Sequence, residues 1–101
     1  MGQNSRMQAL WRRTHPYSAM LLDYQEALAS VKARLAELRA LAREQNRPGS
    51  PVPPAEQYRL EKRILTLVDE QYELCRDMKD IREYAEREIS WENETAAAQA
   101  I

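Results

Sequence analysis

Seven consecutive residues, Pro48-Gly49-Ser50-Pro51-Val52-Pro53-Pro54, hold four of the five prolines and one of the two glycines in a chain of 101 residues. Proline lacks the N–H that a helix interior needs and its ring clashes with the preceding turn, so no helix passes through this stretch. On either side, residues 17–47 and 55–101 contain neither proline nor glycine, and are rich in Ala, Leu, Glu, Arg and Lys, all strong helix formers. The expectation is an all-α chain: two long helices joined by a proline-rich elbow. The boundaries read as an N-terminal arm at 1–16, a helical hairpin at 17–93 and a tail at 94–101. Within the hairpin, helix 1 covers about 17–46, the loop 47–54 and helix 2 about 55–92. Thr14 or Ser18 suits the N-cap of helix 1, with Pro16 in its first turn.

The apolar spacing specifies how the helices meet. Helix 1 carries Leu21, Tyr24, Leu28, Val31, Leu35, Leu38 and Ala42 at alternating steps of three and four, the seam pattern of a coiled coil. Helix 2 repeats it with Leu60, Ile64, Leu67, Gln71, Leu74, Met78, Ile81 and Ala85, interrupted only by the polar Gln71. A short connection makes neighbouring helices antiparallel. The economical register then sets Ala42 with Leu60, Leu38 with Ile64, Leu35 with Leu67, Val31 with Gln71, Leu28 with Leu74, Tyr24 with Met78 and Leu21 with Ile81. Arg39 falls beside Glu61 and Arg34 beside Glu70 in this register. Gln71 is expected as a buried amide that specifies register or oligomeric state.

A second apolar line on helix 2, Leu65, Val68, Tyr72 and Cys75, is left without a partner by the hairpin. Helix 1 adds Leu22 and the small residues Ala29, Ala33, Ala36 and Ala40. Both features point to self-association, most simply a homodimer that forms a four-helix bundle. In the arm, Met7, Leu10 and Trp11 are expected in a short helix that closes the end of the bundle near Ile89 and Trp91. Arg6, Trp11, Arg12 and Arg13, with His15, form the alternative: a basic, aromatic patch able to contact nucleic acid.

Fifteen Lys and Arg against sixteen Asp and Glu leave a net charge of −1, so the whole chain has no bias toward polyanions. The halves differ: residues 1–50 hold 8 basic and 4 acidic side chains, residues 51–101 hold 7 and 12. The single Cys75 excludes an intrachain disulfide, and the opening residues lack the apolar core of a secretion signal, so a cytoplasmic location is expected. No apolar run is long enough for a membrane span. One His and one Cys, neither in ligand spacing, give no expectation of a metal or cofactor, and Cys75 reads as a small buried filler. The carboxylates from Asp69 to Glu86 alternate with Arg76, Lys79 and Arg82 and read as a solvated face rather than a catalytic cluster. A non-enzymatic protein is expected.

The segment from Arg34 to Ala42, the Pro/Gly/Ser loop, the Ile64-Leu-Thr-Leu-Val-Asp-Glu70 core and the Asp80-Ile-Arg82 stretch together resemble the N-terminal helical hairpin of phage and prophage transcriptional regulators related to sigma factor region 4. The resemblance spans about 70 residues of the chain. In that family a helix-turn-helix follows and reads DNA; here the chain stops within a dozen residues of Ile89, so DNA reading is not carried over. The resemblance implies a hairpin accessory protein of a mobile element. The functional expectation is thus a helical interaction or adaptor module that self-associates. Its alternative is a transcription-associated regulator that touches nucleic acid, or a DNA-binding partner, through the basic arm.

Overall fold

The computed structural model describes the backbone of residues 2–100 and the side chains of residues 5–91. Three helices account for almost all of it: α1 (Gly2–Thr14), α2 (Pro16–Gln45) and α3 (Pro54–Ala100). No strand occurs among the described residues, and α2 and α3 pack against each other as an all-α hairpin.

A single residue, His15, separates α1 from α2. Pro16 has no N–H to continue the ladder and biases His15 away from helical geometry, so the break falls where proline chemistry puts it. The helical ladders close on either side of the break, with His15 N–H donating to the Trp11 carbonyl (2.8 Å) and Ala19 N–H to the His15 carbonyl (2.9 Å). Thr14 does not cap α2. Its hydroxyl turns back to the Leu10 and Trp11 carbonyls, each at 3.1 Å, at the C-terminus of α1.

The elbow is built from Asn46 to Pro53. Ser50 N–H donates to the Arg47 carbonyl (3.0 Å), with Pro48 and Gly49 at the two central positions of the turn. Gly49 has φ +81°, the left-handed value that the third residue of a type II turn adopts. Pro54 then opens α3 at the position where its missing N–H costs nothing, and Glu56 puts a carboxylate in the first turn.

The chain divides into two compact units, Glu26–Cys75 and a second made of Met1–Gln25 with Arg76–Ile101. In the Glu26–Cys75 unit, Val31, Leu35 and Leu38 of α2 and Leu60 of α3 are buried, Leu35 to 2% exposure. Leu28, Ala42, Ile64, Leu67, Gln71 and Leu74 are partly buried beside them. Gln57 joins the two helices of this unit at the elbow, its Nε2 donating to the Gln45 and Val52 carbonyls at 3.3 Å each. The Gln45 carbonyl is one of the last four of α2, which have no acceptor role inside their own helix.

In the other unit the buried residues are Ser18 and Ala19 of α2 and Met78 and Ala85 of α3, with Leu21, Tyr24, Asp77, Ile81 and Glu88 partly buried. Tyr17 stacks on Tyr84 with ring centroids 4.9 Å apart, and the Tyr24 hydroxyl lies 3.5 Å from Asp77 Oδ2. Residue numbers rise along α2 as their partners fall along α3, so the helices of this unit run antiparallel.

Several expectations are corrected. The helix expected to stop near residue 92 continues to Ala100 as α3, because Asn93 and Thr95 are weak helix formers but not breakers, and the Ala-rich residues after them favour the helix. The cross-helix pairs Arg34–Glu70 and Arg39–Glu61 do not close among the described residues; Arg34 instead meets Glu37, three residues on, at 3.0 Å. A neighbour on the same helix surface needs less side-chain ordering than one across a seam. Cys75 is exposed rather than buried, since the α2-facing stripe of α3 passes through Leu74 and Met78. The arm is helical, yet two of its apolar residues, Met7 and Leu10, stay 69% and 62% exposed rather than closing the end of the bundle, while Trp11 is 37% exposed.

Candidate functional site

Two places carry more organisation than a simple hairpin requires. The first is the N-terminus of α2, in the unit made of Met1–Gln25 with Arg76–Ile101. The first N–H groups of a helix have no partner within it, and His15, the residue at the cap position, is a poor acceptor there because its ring is engaged elsewhere. His15 Nδ1 donates to the Trp11 carbonyl at 3.1 Å and lies 2.8 Å from the Thr14 hydroxyl, while its ring stacks on Trp11 with centroids 5.1 Å apart. The cap is supplied instead from α3. Glu88 Oε1 accepts from Tyr17 N–H, and Glu88 Oε2 accepts from both Ser18 N–H and Ser18 Oγ, all at 2.9 Å.

The electrostatics agree with that geometry. Burial alone raises the Glu88 carboxyl, but the two backbone donors, the Ser18 hydroxyl and the charge of nearby His15 outweigh it, so its pKa falls below the ordinary value. The partial positive charge at a helix N-terminus favours the same ionised form. Nearby, Arg12 forms a two-pronged pair with Asp23, Nη1 to Oδ2 and Nη2 to Oδ1 at 3.0 Å each. That guanidinium holds the Asp23 carboxyl below its usual range. Sequence reasoning missed Glu88 entirely: a capping signature is local, whereas this cap comes from 70 residues further along the chain.

This pairing bears on the basic patch. Of Arg6, Trp11, Arg12 and Arg13, all exposed, Arg12 is tied to Asp23 and Trp11 is covered on one face by His15. Two of the four, Arg12 and Trp11, are thus drawn into internal contacts, while Arg6 and Arg13 stay exposed.

The second place is the outer face of α3 within the Glu26–Cys75 unit. Leu65 and Tyr72 are 62% and 71% exposed, Cys75 is exposed with a free thiol, and Val68 is partly buried. Tyr58, one heptad before Leu65, extends this line and is 60% exposed, with Lys62 Nζ 5.6 Å from its ring centroid. Sequence analysis named four members of the line and missed Tyr58, though the seven-residue step to Leu65 was the available signal. Leu65 and Tyr72 thus stand clear of the α2-facing stripe, on a heptad of their own.

The remaining features hold less chemistry. At the elbow a depression of about 350 Å³ is lined by Leu41, Gln45, Pro48 and Val52 among others, and Gln45 Oε1 is buried there without a hydrogen-bond partner. Gln71, the interruption of the seam, is only partly buried, so its amide keeps access to water. Among the described residues no three His, Cys, Asp or Glu side chains gather in a metal-binding arrangement, and no helix is long and apolar enough to cross a membrane.

Comparison with protein-family models, with curated proteins and with solved structures gives no match.

Proposed function

We propose that the protein is a non-enzymatic helical interaction module that self-associates through the outer face of α3. One observation carries the reading: Tyr58, Leu65 and Tyr72 recur at heptad spacing and stand at least 60% exposed, on a helix whose opposite stripe is already occupied by α2. A heptad line of large apolar side chains is the sequence pattern of a helix–helix seam, and leaving it in water forgoes the burial that such side chains favour. A second copy supplies the same line and the same need, which makes a homodimer the simplest solution. The resemblance of the hairpin to that of phage and prophage regulators supports an adaptor role among the proteins of a mobile element.

Light scattering across a concentration series, with helicity followed by circular dichroism, tests this. The expected result is a mass approaching twice that of the chain at high concentration. Leu65→Arg and Tyr72→Arg should both shift the equilibrium to monomer while preserving helicity. A wild-type chain that remains a fully helical monomer at every concentration would overturn the reading.

A further inference from the structure

Building on that self-associating reading, we propose that the partner of the α3 outer face is the same face of a second copy, laid antiparallel about a two-fold axis between Leu65 and Val68. The line runs Tyr58, Glu61, Leu65, Val68, Tyr72, Cys75, with steps of three and four throughout. An antiparallel seam pairs each residue of one sub-line with one of the other. Centred between Leu65 and Val68, it sets Leu65 on Val68 and Tyr58 on Cys75 of the second copy. Glu61 meets Tyr72, whose hydroxyl donates to the carboxylate, so the only charged residue in the seam gains a partner. Every layer occurs twice by symmetry.

Charge selects this arrangement. One edge of the line is the α2 side, where Ile64 and Gln71 are partly buried; the other edge carries Lys62 and Asp69, both exposed. These two lie seven residues apart on one helix, roughly 10 Å along its axis, too far to pair with each other. In the antiparallel register Lys62 of each copy meets Asp69 of the other, giving two reciprocal ion pairs. A parallel arrangement would instead carry the Lys62 and Asp69 edges of the two copies to opposite sides of the seam, each beside the Ile64 and Gln71 edge of the other, where neither charge meets an opposite one. It would also bring the two Cys75 thiols together, whereas the antiparallel register separates them by about 25 Å.

Charge exchange and cross-linking test the geometry separately from self-association. Lys62→Glu and Asp69→Lys should each weaken the dimer about tenfold by light scattering, and the double variant should recover to within about threefold of wild type. These positions are solvent-exposed on a helix, so unchanged helicity is the control for folding. Under mild oxidation wild-type Cys75 should not cross-link the dimer, while Tyr58→Cys should form an intermolecular bond between positions 58 and 75, located by peptide mass. A dimer that cross-links through Cys75 alone, or a double variant no tighter than either single one, would overturn the antiparallel geometry and leave self-association standing. A dimer unaffected by Leu65→Arg would place the interface on another face, and a wild-type monomer would remove both proposals.

Discussion

The carboxylate of Glu88 on α3 closes the N-terminus of α2, with Oε2 at 2.9 Å from both the N–H and the hydroxyl of Ser18. A side-chain cap normally comes from the residue just before a helix. Here it arrives from the packed partner helix, so the interaction that satisfies the helix end also ties that end to α3. Replacing Glu88 by Ala should cost about 1 to 2 kcal/mol, in the range of N-cap losses with the helix-end charge removed. Ser18→Ala, which leaves both backbone donors paired, should cost less. Thermal or urea unfolding of the two variants gives the comparison, and equal losses would show that the hydroxyl rather than the carboxylate dominates.

Acid should weaken this clamp in a defined direction. The folded-state pKa of Glu88 lies below its ordinary 4.5, so the ionised carboxylate is favoured by folding. Its contribution is fully present above the unfolded value and is lost as the pH falls through the depressed folded one. Wild-type stability should therefore decline as the pH drops from about 5.5 toward 3, more steeply than that of Glu88→Gln. Asp23, lowered by Arg12, works in the same direction and is retained in both proteins, so the difference between the two pH curves isolates Glu88. Superimposable slopes would argue against the clamp.

Leu35 and Leu65 are both heptad leucines, and their exposures of 2% and 62% give them different consequences. Leu35→Ala should lower the stability of the chain by about 2 to 4 kcal/mol, the cost of a core truncation that leaves a cavity. Leu65→Ala should change monomer stability by less than about 0.5 kcal/mol, as surface substitutions do, while weakening association. Urea unfolding at a concentration where the chain is monomeric separates the two, with equal effects counting against the assigned faces.

Gly49 offers a purely backbone test. Its φ of +81° is disfavoured for residues with a side chain, and a Cβ placed there would meet nothing within 4 Å. Gly49→Ala should cost about 1 kcal/mol from conformation alone. Gly49→Asn should cost less, because Asn tolerates the left-handed region better. Denaturant midpoints for the pair check the order.

The periodicity of the chain by itself determined the all-α class, the elbow and the α2-facing stripe. Each depends on short-range rules: proline stops a helix, and steps of three and four line up one side of it. Val31, Leu35, Leu38, Leu60 and Met78 were legible for that reason, and all are buried. Only tertiary structure decided that Glu88 caps α2 and that Arg12 spends its charge on Asp23. These outcomes depend on which exposed side chains come within about 3 Å of a free donor or opposite charge, a matter of local geometry between segments distant in sequence. A heptad can say which side of a helix seeks cover; the arrangement of the helices decides what reaches the ends and edges.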